Sequence, residues 1–125
     1  MSATVLIVDD QLLMMQTLRS LLLGHSIDVC GDAANGREAI ERVRALQPDV
    51  VLLDINLPVM NGFQAAVEIQ KIAPSTKILF LTVIDNPTGP ATAKAFGFHG
   101  WIPKSAAETT LIPTIQRLLQ TNGLT

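Results

Sequence analysis

Short apolar runs recur along this chain, separated by longer segments of helical periodicity. That alternation limits the possible folds more than any other feature. Residues 4–8 (TVLIV), 50–53 (VVLL) and 78–81 (ILFL) are rich in β-branched and large aliphatic side chains and read as strands. The last two are apolar throughout, as in strands covered on both faces. Residues 27–33 interleave polar positions and read as an edge strand, and residues 100–102 form a short fifth. Between these, residues 11–23 place Met14, Leu18, Leu21 and Leu22 at helical spacing and stop at Gly24. Residues 36–46 put Ala39, Ile40, Val43 and Leu46 on one stripe, and residues 64–72 end before Pro74. Pro87, Gly89 and Pro90 cut the fourth helix to residues 91–96. The last helix is expected from Ser105, where Ser105 and Glu108 match a capping box, to about Thr121, bent at Pro113. Five strands alternating with five helices predict an α/β fold. It is a doubly wound parallel sheet with helices on both faces, in one domain spanning 1–125.

Bulk properties narrow the function. The 125 residues are 48% hydrophobic and 16% charged, enough apolar surface for a chain of this size to fold without a disulfide or structural metal. Net charge is −2 and Lys and Arg are not clustered, so direct nucleic-acid binding by this chain is not expected. Cys30 is the single cysteine, which rules out an internal disulfide and fits a reducing compartment. It reads as a small core residue, as does Met14. The first apolar run stops after Val8 at two aspartates, too early for a signal-peptide core. Later apolar runs are far shorter than a bilayer span. A cytoplasmic chain without membrane contact is expected. His25 and His99 have no ligating neighbours in sequence and read as surface loop residues.

The chemistry-bearing residues stand at the carboxyl ends of the predicted strands. Asp9 and Asp10 close the first, Asp54 the third and Thr82 the fourth, and Lys104 follows the fifth. Ligands of open α/β sheets bind outside those ends. Three carboxylates brought together repel one another and call for a hard divalent cation with oxygen ligands, for which Mg²⁺ is suited. Lys104 adds a mobile positive charge for a phosphoryl oxygen and Thr82 a hydroxyl. A carboxylate among such groups can attack phosphorus and form an acyl phosphate.

Each residue also has an ordinary explanation. Asp9 and Asp10 can cap the first helix. Asp54, followed by Asn56, Pro58 and Gly62, can be turn chemistry. Thr82 can be a strand-end hydroxyl and Lys104 a solvated lysine. Coincidence of all of these at the right strand ends is less probable than a single site, so the weight lies on the constellation.

The chain resembles a response-regulator receiver domain. The resemblance rests on VDD at 8–10, LLDINLPVMNG at 52–62, FLT at 80–82 and GWIPKSA at 100–106. It implies a flavodoxin-like (βα)5 fold with strand order 2-1-3-4-5 and a phospho-acceptor at Asp54. It further implies Mg²⁺ held by Asp10, by Asp9 directly or through water, by Asp54 and by the backbone carbonyl of Asn56. Thr82 and Lys104 would grip the phosphoryl group. Trp101 occupies the place of an aromatic ring that moves with the threonine. The implied partner is a sensor histidine kinase, and the implied role is a phosphorylation switch in a two-component system, acting on an output domain or partner in transcription. The PKSA ending is similar to receivers that precede a LuxR-type helix-turn-helix domain. It favours the front part of a transcription factor over a stand-alone receiver.

Three positions depart from the family pattern. Val83 stands where Ala or Gly is usual and is expected to crowd the route to Asp54. The fourth helix is rich in Pro and Gly, and Pro113 interrupts the fifth. A dedicated aspartyl phosphatase is a poor alternative, because its general acid would fall at Asn56. A receiver that works without phosphorylation is the other alternative, disfavoured by the complete set of site residues. The first helix carries Leu12, Leu13 and Met15 beside its core positions, and the last carries Leu111, Ile112, Ile115, Leu118 and Leu119. These arcs are wider than one buried face needs and predict a weak homodimer through the first or fifth helix.

Overall fold

A computed structural model describes residues 3–83 and 87–120. Strands β1 (Ala3–Val8), β2 (Ile27–Ala33), β3 (Val50–Leu53), β4 (Lys77–Thr82) and β5 (Gly100–Pro103) are linked by α1 (Leu12–Leu22), α2 (Gly36–Leu46), α3 (Gly62–Ile72), α4 (Gly89–Ala95) and α5 (Ala107–Gln120). The five strands form one sheet in the order β2-β1-β3-β4-β5, and every neighbouring pair is parallel. This is the flavodoxin-like α/β arrangement.

The two-residue period of each strand divides the core between the two faces. Val5 and Ile7, Val50 and Leu52, and Leu79 and Leu81 pack with Leu18 and Leu22 of α1 and Leu111 and Ile115 of α5. Leu6 and Val8, Val51 and Leu53, and Ile78 and Phe80 pack with Ala39 and Val43 of α2 and Ala65, Ala66 and Ile69 of α3. Full burial of one such aliphatic side chain stabilises by about 1.5–3 kcal/mol, so the central strands anchor everything attached to their ends. β1 and β2 change register between Val5 and Leu6, which leaves Cys30 as an extra residue on β2. The half-buried Cys30 thiol donates to the Val5 carbonyl at 3.5 Å, and burial, with the charge of Asp49, raises its pKa.

The structure corrects several boundaries. α3 begins at Gly62, two residues before the predicted start, because Asn61 and Gln64 form a reciprocal capping box there. α4 begins at Gly89 with Pro90 in its first turn, where the missing N–H of proline has no partner to lose. The capping box expected at Ser105 does not start α5. A 3₁₀ turn over Lys104–Ala106 intervenes, and α5 starts at Ala107. α5 continues through Pro113, which faces solvent, while Leu111, Ile115 and Leu118 hold the helix to the sheet. Its predicted end at Thr121 lies outside the described residues. His25 is exposed. His99 is not the surface loop residue expected: it is half-buried, and its ring accepts a hydrogen bond from the Ile78 N–H at 2.9 Å. Sequence distance hid this contact, since the two residues meet only when β5 pairs with β4.

Val59 adopts φ +67°, and the Met60 N–H donates to the Pro58 carbonyl at 2.6 Å across it. A β-branched residue in this hand of turn is strained. Its neighbours hold it: the Gly36 N–H donates to the Met60 carbonyl at 3.0 Å and the Gly62 N–H to that of Ile55 at 2.8 Å.

Candidate functional site

The sheet carries four of the six predicted site residues at its strand ends, two of them by extending its ladders. The Asp54 N–H donates to the Val8 carbonyl at 3.0 Å, and the Asp9 N–H to that of Ala33 at 3.0 Å. Both aspartates are therefore fixed one residue beyond their strands, 1% exposed at Asp9 and 4% at Asp54. Thr82 ends β4 and is fully buried. Lys104 opens the 3₁₀ turn after β5, and its side chain is only 8% exposed. Asp10 is exposed at the rim, and Asn56 lies in the turn that follows Asp54.

Lys104 ties the pocket together. Its Nζ lies 2.7 Å from Asp9 Oδ2 and 2.9 Å from Asp54 Oδ2. Each aspartate uses its other oxygen locally: Asp9 Oδ1 accepts from the Gln11 N–H at 2.9 Å, and Asp54 Oδ1 from the Asn56 N–H at 3.1 Å. The ordinary turn reading of Asp54 thus holds for one of its oxygens, and the site reading for the other. Asp9 and Asp10 do not cap α1, whose N-cap is Gln11 without a side-chain cap bond; Asp9 Oδ1 instead closes a local turn on Gln11. Burial raises the pKa of Asp54. The Lys104 and Asn56 hydrogen bonds lower it in part, and the Asp9 charge adds to the rise. Burial alone would pull the Lys104 ammonium down, but its bonds to Asp9 and Asp54 and their charges reverse this and raise it. Lys104 is therefore a committed cation.

Asp9, Asp10 and Asp54 each offer a carboxylate oxygen, all within 4.8 Å of one another. Three carboxylates and one ammonium sum to −2, the charge that one divalent cation cancels. The donors are all hard oxygens, so the residues present fit Mg²⁺ better than a thiol- or imidazole-preferring metal.

Val83 is 66% exposed and, with Thr82, Pro103, Lys104 and Ser105, lines a cleft of about 290 Å³ beside the pocket. Trp101 packs against Phe80 at 5.8 Å between ring centroids. Its indole lies against the first turn of α4, where a Cβ on Gly89 would come within 2.4 Å of the ring. Sequence reasoning gave Gly62 only a turn role. A Cβ there would stand 2.0 Å from the Asp54 carbonyl oxygen, so this glycine lets α3 close onto the residue that carries the carboxylate. The signal was present in the N-G pair at 61–62, but the contact it serves was not.

Fold and pocket together define a flavodoxin-like α/β protein with an acid-and-lysine pocket at the carboxyl ends of its strands. The chain belongs to the response regulator receiver domain family, whose model matches residues 5–116. It is 34% identical over 118 residues to the chemotaxis protein CheY of Thermotoga maritima, covering 94% of this chain and 98% of that protein. It is 37% identical over 112 residues to the transcriptional regulatory protein LnrK of Bacillus subtilis, covering 89% of this chain but only 51% of LnrK. The fold superimposes on a LuxR-family two-component response regulator from Aurantimonas sp. SI85-9A1 with a TM-score of 0.90 and 26% identity, over 98% of this chain and 88% of that one. The chain is accordingly a CheY-like receiver of a two-component system. None of its described helices is long and apolar enough to cross a membrane.

Proposed function

We propose that this receiver, spanning 1–125, takes a phosphoryl group from a sensor histidine kinase onto Asp54 and relays its phosphorylation state to an output domain or partner in transcription, in the cytoplasm. The observation that carries this reading is the Lys104 ammonium bound to both Asp9 and Asp54 in a buried pocket. Asp9, Asp10, Asp54 and the backbone carbonyl of Asn56 would hold Mg²⁺. Bound there, the ion would neutralise charge on the phosphoryl oxygens.

The chain's own residues do the positioning. An Asp54 carboxylate oxygen attacks phosphorus as the bond to the donor's imidazole nitrogen breaks, and that nitrogen keeps the electron pair. The Lys104 ammonium moves from sharing the Asp54 oxygen to holding a phosphoryl oxygen, while remaining paired with Asp9. The Thr82 hydroxyl donates to a second phosphoryl oxygen. Both donors are carried on strand ends, Thr82 at the end of β4 and Lys104 just after β5, so their backbones are in place before charge develops.

The test is incubation with acetyl phosphate followed by intact mass. A gain of one phosphoryl group in Mg²⁺, lost with EDTA, is expected. Asp10→Asn should raise the Mg²⁺ concentration required, since it removes an anionic ligand. Phosphorylation that proceeds unchanged without divalent metal would refute the metal assignment.

Val83 stands on the wall of the cleft beside Lys104, not in the core. Val83→Ala should therefore cost little stability. It should speed both phosphorylation and phosphate loss, each by roughly threefold, equivalent to about 0.7 kcal/mol of barrier. Equal rates in the two proteins would mean that the side chain does not obstruct the donor or water.

Self-association is proposed through the face shared by α1 and α5. Leu12 and Leu13 are 67% and 75% exposed on α1, whereas Ile112 of α5 is half-buried against the core, which favours the α1 side. Sedimentation equilibrium with and without phosphorylation should give a weak dimer that Leu13→Glu abolishes. A parent that remains monomeric in both states excludes it.

A further inference from the structure

Far from the acidic pocket, one titratable side chain stands in for backbone in the sheet. β4 and β5 pair from Leu79 and Gly100 onward. One residue earlier the His99 N–H donates to the Ile78 carbonyl at 2.9 Å, and the Ile78 N–H donates to His99 Nδ1 at 2.9 Å. Ile78 is 1% exposed, so its N–H has no water to turn to if the ring withdraws.

Nδ1 accepts only when it carries no proton, so this bond requires a neutral ring with its proton on Nε2. Protonation would place a second N–H opposite the first and leave the Ile78 donor buried and unpaired. The charged groups around the ring oppose protonation as well. Lys77 of β4 adjoins Ile78, and Lys94 of α4 lines the same cleft as His99. From α5, Thr114, uncharged, lies against the neighbouring Gly100. Burial first, and the Lys77 charge second, hold the imidazole below its ordinary value. The Ile78 backbone acts the other way, but less strongly than burial and the Lys77 charge.

We propose that His99 is an acid-released latch: its neutral ring fastens the start of β5 to β4, and its protonation lets that sheet edge open. β5 carries Trp101, packs under α4 and ends next to Lys104. Loosening would therefore reach the corner of the fold between α4 and the pocket.

A latch whose folded pKa lies below that of the free ring is fully engaged above the free value. It weakens as pH falls, because the open state takes up the proton first. Nitrogen-15-detected amide exchange on the whole chain, corrected for intrinsic rates, reads this directly. The Ile78 protection factor should be constant above the free imidazole value of 6.5. Below it, protection should fall by up to roughly tenfold per pH unit, the slope for one proton per opening, until the folded ring itself titrates. Amides of β3 serve as the reference and should not follow. His99→Asn offers Oδ1 near the place of Nδ1 and does not titrate, so Ile78 protection should become independent of pH. His99→Leu has no acceptor and should show low protection at every pH. Parent protection that persists at about pH 5, well below the free-ring value, would overturn the latch. So would an equal acid loss in His99→Asn. The comparison of parent with His99→Asn decides the matter even if His99→Leu does not fold.

Discussion

Asp54→Asn is expected to lower phosphorylation by acetyl phosphate in Mg²⁺ by roughly a thousandfold or more, the scale on which loss of a nucleophile is felt. The amide keeps the shape of the carboxylate but has no anionic oxygen to form the acyl phosphate. It also leaves Lys104 paired with Asp9, 2.7 Å away, so no buried cation is orphaned. Burial and the Asp9 charge raise the pKa of Asp54. An acid whose pKa is raised on folding weakens the fold once pH climbs past its unfolded value, and the neutral amide escapes that cost. In metal-free buffer the variant should therefore withstand urea at least as well as the parent. The two readouts separate a lost acceptor from a lost fold. A phosphoryl mass gained at the parent's rate by a folded Asp54→Asn protein would move the acceptor elsewhere.

Gly62→Ala carries the largest expected effect on stability, a loss of about 3 kcal/mol. The added Cβ would lie 2.0 Å from the Asp54 carbonyl oxygen and 2.8 Å from both the Asp54 carbonyl carbon and Ile55 Cα. All three are backbone atoms with no rotamer to change, so β3 and α3 must separate. That displacement also carries Asp54 away from Lys104, and phosphorylation should fall along with the urea midpoint. Gly24→Ala is the control. Gly24 has φ +85° and nothing within 4 Å of the added carbon, so it should lose only about 1 kcal/mol, the penalty of a strained backbone in open space. If Gly62→Ala were no worse than Gly24→Ala, the junction would be looser than its packing implies.

Much of this architecture is legible in the sequence because its signals are local. VVLL at 50–53 and ILFL at 78–81 read as strands buried on both faces, as they are, and the polar residues that break such runs mark their carboxyl ends. Asp9, Asp54, Thr82 and Lys104 are singled out for that reason; Asp9, Asp54 and Lys104 stand together in the fold, and Thr82 lines the adjoining cleft with Lys104. Tertiary contacts were not legible. Pro87, Gly89 and Pro90 read as helix breakers, yet Gly89 opens α4 because only a residue without Cβ fits under the Trp101 indole. Ser105 and Glu108 look like a cap, but the chain takes a 3₁₀ turn that begins at the inward-facing Lys104. His99 has no neighbour in sequence that foretells the Ile78 amide. These three misses concern residues placed by partners more than ten positions away, whereas the early start of α3 is set by the local Asn61–Gln64 capping box.

The order of the strands leaves two borders, and neither invites another strand. On β2 the extra residue at Cys30 breaks the regular ladder, with Asp28 exposed beside it. β5 is only four residues long and ends at Pro103, which has no N–H to offer. Runaway assembly by edge-to-edge addition of strands, the route to fibrils, is thereby discouraged although 48% of the residues are hydrophobic. The pairing of copies proposed above would then run through helices, whose contacts can close into a finite pair and come apart again.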